Sequence, residues 1–398
     1  MGMGFFLMVV AVMFAVLFAL AYRMTGFLFE GRSLRVARLF LLGLDATILV
    51  GLFLGPRYFR DAAWGTGAIE ILSMAVMAQF FLAVTTALAV GIRGIWRVSH
   101  GGAPFDRSRR RMLRHALLYP AVSIASGVYG GAWERNQTVV NRYDIPVQDL
   151  PDSLAGFTIA QISDIHLGRF FSLERLRDLL AQAAGEGPDL LAITGDIFDD
   201  AAMTPEAAAI VDSFVGSFPR GIWYCHGNHE HHRGIALVER SLSGTHIHAL
   251  VNRAEVAVPG ERPLVLAGTD YPMPPPGTSF ASHFDDETFH REKRRFMDET
   301  MRGVPQGAVT VLLAHHPEFI DDAREHGIPL TLTGHTHGSQ VGIFGIPLFP
   351  VFKYTRGMFA KDGCYGYVHV GNGSWFPYRF GCPPEIACFR LVAKQEKN

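Results

Sequence analysis

The chain has 398 residues, 49% of them hydrophobic, and its 36 basic and 37 acidic side chains leave a formal net charge of −1. That length accommodates one large domain, or a domain with an accessory region, and the balanced charge gives no reason to expect nucleic acid as a partner. Four cysteines without CxxC spacing exclude a disulfide-built scaffold. Cys225, in an apolar run, reads as a buried free thiol; Cys364, Cys382 and Cys388 are candidates for pairing if the C-terminal part is exported.

Apolar residues concentrate at the N-terminal end. Residues 5–22 (FFLMVVAVMFAVLFALAY) carry no charge and approach the roughly 20 residues that cross a bilayer. Three further runs follow at 39–54, 68–92 and 116–133, the last weakened by Pro120 and several Ser and Gly residues. The expectation is an all-α transmembrane region over residues 1–135, with four helices, in the plasma (inner) membrane. A cleaved signal peptide fits the first run poorly, since no basic residue precedes it. Arginines sort the connecting loops. Arg23, Arg32, Arg35 and Arg38 lie in the first, Arg57 and Arg60 in the second, and seven more between Arg93 and Arg114 in the third. The positive-inside rule puts the first and third loops in the cytoplasm and everything after residue 135 on the far side. SRRRMLRHALL (108–118) has the look of a twin-arginine export signal, although a basic membrane-flanking loop is the preferred reading. Asp45, mid-span, is costly there and calls for a function or a partner on another helix.

From about residue 155 short apolar runs alternate with helix-like segments. Strands are predicted at 157–163, 190–194, 221–226, 264–268, 309–315, 330–333, 365–370 and 386–392. Helices are predicted at 173–184, 205–217 and 317–326, with Pro205 and Pro317 suited to first turns. The proline-rich stretch 271–279 reads as an exposed loop and 285–299 as a solvated helix. Such alternation makes residues 136–398 an α/β domain.

Polar residues cluster where these strands end. The first delivers Asp164 and His166, the second Asp196, the third Asn228, His229 and Glu230, the fifth His315 and His316, and the sixth His335 and His337. Open α/β sheets bind ligands at the carboxyl ends of their strands. Gly195, Gly227 and Gly334 precede three of these clusters and are expected to let the chain turn sharply. Asp, Asn and neutral imidazoles form a donor set suited to Mn, Fe, Zn or Co. Seven such groups exceed one tetrahedral ion and suit two divalent ions with open positions. Asp196, alone at its strand end, is the natural bridge between them.

The blocks DIHLG, GDIFD, GNHE, LLAHHP and GHTHG resemble the calcineurin-like metallophosphoesterase superfamily over residues 155–393. The N-terminal apolar region and RFGCPPEI (379–386) resemble its membrane-associated bacterial phosphodiesterases, some of which hydrolyse UDP-2,3-diacylglucosamine in lipid A synthesis. The resemblance implies a four-layer α/β/β/α sandwich of two mixed sheets. It also implies that Asp164, His166 and His337 hold a first metal, that Asn228, His315 and His335 hold a second, and that Asp196 bridges. His229 would contact the substrate phosphoryl group beside Asn228 and act as general acid or charge stabiliser; His316 falls at a position that varies in the family. The GD block continues IFDDA rather than D-R-G, which argues against a protein Ser/Thr phosphatase. The expected reaction is hydrolysis of a phosphodiester or pyrophosphate by a metal-bridged hydroxide, on a lipid- or envelope-linked substrate, with membrane lipids as partners. A non-catalytic receptor or scaffold would have lost ligands, and none is missing. A UDP-2,3-diacylglucosamine hydrolase is the second reading, in tension with a non-cytoplasmic domain, and a broad-specificity phosphatase a third. Arg379 is a candidate for substrate contact, with a structural salt bridge the preferred reading.

Overall fold

A computed structural model describes residues 15–23, 25–26, 31–58, 65–99, 121–273, 287–348, 350–374 and 376–394. They divide into two compact units. One holds the residues up to 134 together with 376–378; the other holds the remainder.

The first unit is helical. Helices cover residues 15–23, Gly31–Tyr58, Gly65–Ser99 and 121–128, the last running into a π-turn at Tyr129–Trp133. Four spans were expected. Among the described residues one helix segment, Thr66–Val84, is long and apolar enough to cross a membrane. Of the first run only the stretch from residue 15 is described, and of the fourth only 121 onward, so both described pieces are too short to span. The second run lies within Gly31–Tyr58, whose side chains from Gly51 onward lie outside the described residues, as do the arginines from 107 to 114. Asp45 is buried and accepts a hydrogen bond from the Gln79 amide of the next helix. A partner on another helix thus engages one oxygen of this acid.

The second unit is built on two six-stranded sheets. Its strands are β1 (Val139–Val147), β2 (Thr158–Ile162), β3 (Leu190–Thr194), β4 (Ile222–Cys225), β5 (His248–Ala249), β6 (Arg253–Val258), β7 (Leu264–Gly268), β8 (Val309–Leu313), β9 (Leu330–Thr333), β10 (Gly342–Ile343), β11 (Ile346–Pro347), β12 (Gly357–Lys361), β13 (Cys364–Val368) and β14 (Glu385–Ala393). The first sheet runs β1-β14-β2-β3-β4-β5 and the second β12-β13-β9-β8-β7-β6, while β10 and β11 form a separate hairpin. Both sheets are mixed. The runs β2-β3-β4-β5 and β13-β9-β8-β7 are parallel, and the junctions β14-β2, β12-β13 and β6-β7 are antiparallel.

Strand periodicity explains the layering. Successive side chains point to opposite faces, so Leu190 and Ala192 of β3 face one core while Leu191 and Ile193 face another. Across from them, Val309, Val311 and Leu313 of β8 join the core between the sheets, and Leu312 packs outward. The outer face of the first sheet is covered by helices Leu173–Gly185, Thr204–Ser213 and Ile235–Leu242. Glu287–Met301 and Phe319–Glu325 cover the second. Helix, sheet, sheet and helix thus stack in order.

Each predicted strand and helix of this unit has a counterpart within a few residues. Pro205 sits in the first turn of its helix, as expected. Pro317 instead precedes the helix that begins at Phe319, its carbonyl accepting from the Ile320 amide. Most of the proline-rich stretch, from residue 274, lies outside the described residues. The four cysteines are free thiols, with Cys225, Cys364 and Cys382 buried, so the pairing considered for the last three is not present.

Candidate active site

Parallel strands from both sheets end at one edge. From the first sheet β2 leads to Asp164 and His166, β3 to Asp196 and β4 to Asn228 and His229; from the second, β8 leads to His315 and β9 to His335 and His337. The sheets are stitched together there by buried polar bonds. His315 Nδ1 donates to the Thr194 carbonyl at 2.7 Å, and the Gln161 amide donates to Thr194 Oγ1 and to the Thr333 carbonyl. The bond from His315 Nδ1 fixes its tautomer and turns Nε2 toward the carboxylates.

Two groups of metal-type donors lie side by side, Asp164–His166–His337 and Asp196–His315–His335. His166 Nε2 stands 2.9 Å from His337 Nε2, and His337 Nε2 lies 3.5 Å from Asp164 Oδ1. In the second group His315 Nε2 is 3.2 Å from His335 Nδ1, which is 2.9 Å from Asn228 Oδ1. One carboxylate oxygen faces both groups: Asp196 Oδ2 is 3.1 Å from His315 Nε2 and 3.6 Å from His166 Nε2.

This donor set fits divalent cations. Asp164 and Asp196 are buried close together, an arrangement of like charges that requires positive charge nearby. Two imidazole nitrogens that face each other can share one proton at most, and His337 Nδ1 is buried without a hydrogen-bond partner. Burial, reinforced by His166 and Arg379, holds His337 well below the usual imidazole range, in the neutral form that a metal would require. Burial raises the Asp164 carboxyl. Burial opposes a charge on His315, yet Asp196 pushes its pKa up to about 10, so the proton held there sits where a cation would displace it. Despite burial, His315 and His229 keep Asp196 well below its ordinary value.

The backbone contributes as well. Asp164, His166, Asp196, His335 and His337 all adopt positive φ, between 50° and 74°. That region costs a residue with a Cβ of order 1–3 kcal/mol, and such strain gathers at functional sites. The preceding glycines do not all serve as expected. Gly195 has φ of +82°, but Gly227 and Gly334 are required by close approach instead. A Cβ on Gly227 would stand 2.1 Å from Asp196 Oδ1, and one on Gly334 would stand 2.4 Å from Asp164 Oδ2.

His229 opens the helix Asn228–Arg233 at the rim of the site. Its Nδ1 is 2.8 Å from Asp199 Oδ1 and its amide donates to Asp196 Oδ1. Burial lowers its pKa, but Asp196 and Asp199 together push it up to about 9. Asp199 also reaches His166 Nδ1 at 3.3 Å and accepts from Arg233. Asp199 was quoted in the sequence only as part of IFDDA; a second carboxylate three residues after GD is the signal that marks it. Glu230, placed at the strand end in the sequence but without a role, is the other organiser. Its buried carboxylate accepts from the amides of Asp196, Ile197, Phe198 and Gly227, tying the GD and GNH loops together. A Glu three residues after a helix N-cap is readable as half of a capping box.

Two further residues named in the sequence lie behind or beside the site. Arg379 is fully buried and donates to the carbonyls of Gly373 and Cys382. Through these bonds it braces the loop behind His337. His316 is buried against Phe289 and Phe352.

Comparison with known proteins matches residues 157–339 to the family described as calcineurin-like phosphoesterase. The metallophosphoesterase YkuE of Bacillus subtilis is 28% identical over 304 residues, covering 71% of this chain and 97% of that protein. The phosphodiesterase YaeI of Escherichia coli is 28% identical over 255 residues, covering 61% and 84%. A transmembrane protein with metallophosphoesterase domain from Danio rerio is 27% identical over 293 residues, covering 71% and 63%. Residues 157–339 are therefore a calcineurin-like phosphoesterase domain, and the protein is a metal-dependent phosphoric ester hydrolase.

Proposed function

We propose that this protein is a membrane-anchored phosphodiesterase that works with two divalent metal ions on a lipid- or envelope-linked phosphodiester or pyrophosphate. The observation that carries the dinuclear reading is Asp196 Oδ2, which faces His315 at 3.1 Å and His166 at 3.6 Å. Asp164, His166 and His337 would hold one ion, Asn228, His315 and His335 the other, and Asp196 both. Such ions, when bound, activate water and neutralise charge on phosphoryl oxygens.

The protein's own groups prepare the rest. Asp199 occupies His229 Nδ1 and leaves Nε2 as the donor toward substrate. The Asp199 carboxylate beside it favours the protonated ring, so His229 stabilises a phosphoryl oxygen and gives its proton to the leaving alkoxide. General acid catalysis of this kind is worth about 10²–10⁴-fold. Asp199 on His166 Nδ1 and the Thr194 carbonyl on His315 Nδ1 orient the ring nitrogens that face the ions, the outer support on which metal affinity depends.

The apolar segment Thr66–Val84 supports membrane anchoring, as do the relatives named as transmembrane proteins. YaeI, named a phosphodiesterase, supports a diester over a monoester. The UDP-2,3-diacylglucosamine hydrolase reading is kept second on the membrane anchor alone. The test is turnover by the purified, remetallated full chain on bis(4-nitrophenyl) phosphate, 4-nitrophenyl phosphate, a lipid phosphodiester and UDP-2,3-diacylglucosamine. Preference for the diesters is expected, with His229→Ala lowering kcat at least about 10²-fold at unchanged metal content. Preference for the monoester overturns the diesterase reading, and exclusive cleavage of the sugar nucleotide moves the second reading to first.

A further inference from the structure

Directly after the GHTHG block, β10 and β11 form a two-stranded hairpin that pairs Ile343 with Ile346 around the turn residues Phe344 and Gly345. Its apolar side chains point into solvent. Phe344 is 99% exposed and Ile346 68%, and Val351 just beyond is 70% exposed.

Turn chemistry makes this placement harder to dismiss as incidental. Phe344 and Gly345 both have positive φ, at 50° and 82°. Tight two-residue hairpin turns of that kind favour Asn-Gly or Asp-Gly, because a bulky residue at positive φ is disfavoured. A phenylalanine here is penalised by its backbone and by water alike. Nor does the hairpin hang loosely. The Gly342 amide donates to the Phe380 carbonyl, the Leu348 amide to the Val341 carbonyl, and the Arg356 guanidinium to the carbonyls of Gly345 and Gly381. A braced base thus presents an apolar tip.

We infer that this hairpin inserts its tip into the lipid surface, with Phe344 as the leading residue. Three observations favour lipid over a protein partner. The tip is apolar and narrow, a shape suited to entering a bilayer's interfacial zone. Residues 339–361 carry Lys353, Arg356 and Lys361 and no acid, a positive stretch that favours anionic headgroups, although Lys353 pairs with Asp321 and the Arg356 guanidinium is engaged by the Gly345 and Gly381 carbonyls. The chain carries its own candidate span, Thr66–Val84, so a bilayer is at hand. The inference rests on the membrane-anchored reading and deepens it: a tip sunk among lipids, a few residues from His335 and His337 in sequence, suits a phosphodiester that is itself embedded.

The test uses the full chain carrying Phe344→Trp in vesicles of mixed phosphatidylcholine and phosphatidylglycerol, with the unsubstituted chain as the fluorescence blank. Insertion predicts that the added fluorescence is quenched by bromine-labelled lipid and protected from aqueous iodide. Quenching by iodide with no effect of the brominated lipid overturns it. Protection from both marks a protein partner, a second copy included, and overturns it too. A second variant, Phe344→Asp, is expected to hydrolyse bis(4-nitrophenyl) phosphate at the normal rate and an embedded lipid phosphodiester about tenfold more slowly. Equal rates of wild type and variant on the lipid substrate count against the inference. Failure of the wild type on the soluble diester would instead sink the proposed reaction, and the quenching result stands apart from it.

Discussion

The strands that build the core between the sheets also build the site, and the two ends behave oppositely. In β8, Val309, Val311 and Leu313 lie fully or almost fully buried among apolar neighbours, and two residues on His315 lies just as deep among carboxylates. In β9, Leu330 and Leu332 join the same apolar core before the chain bends to His335 and His337 at positive φ. One region is apolar with ordinary strand backbone; the other gathers buried charge and backbone strain within a few residues. The lesson is that the interior supplies the stability and the carboxyl edge spends some of it on a prearranged site.

That contrast can be broken by substitution. The largest effect is expected at the edge: Asp196→Ala should cut turnover by about 10³-fold or more, since the carboxylate facing both donor groups is lost. Wild-type turnover after remetallation would refute the shared role of Asp196.

An interior substitution should do the reverse. Leu330→Ala, at the end of β9 remote from the ligands, is expected to cost about 2–5 kcal/mol of stability. Turnover per folded, metal-loaded chain should stay unchanged. Amide exchange in β9 measures the first and active-site-titrated kinetics the second. Loss of activity without faster exchange would erase the division between the two regions.

The smallest effect sharpens the picture at the rim. His229 is held protonated up to about pH 9 by Asp196 and Asp199, against the opposing effect of burial. Loss of the Asp199 charge lowers that pKa. Asp199→Asn should therefore move the alkaline limb of the kcat/KM profile to lower pH while leaving the acidic limb in place. An alkaline limb that does not move would show that His229 is not the group titrating there.

Much of this contrast is legible in the sequence, for a physical reason. Each ligand block follows a short apolar run, so the switch from LLAIT to GD or from LTLT to GHTH marks both the strand and its functional end. What escapes is whatever depends on pairing partners far along the chain. β1, with Asp144 and Arg142 in it, looks nothing like a buried strand; it forms because β14, some 245 residues later, offers it a parallel edge. β12 is likewise half exposed and held by β13. Glu230 and Asp199 sit inside recognised blocks, yet their roles arise only when the loops after β3 and β4 meet. The glycines before the ligands were read as flexible turns, and two of the three proved to be spaces for carboxylates.

The central claim is that Asp196 lies between two metal ions that the protein uses together. Metal content of the purified full chain, measured alongside phosphodiesterase activity through chelation and stepwise remetallation, tests it most directly. The account predicts two ions per active chain, with activity lost on chelation and returning as the second ion binds. Full activity at one ion per chain, or with none, would contradict it.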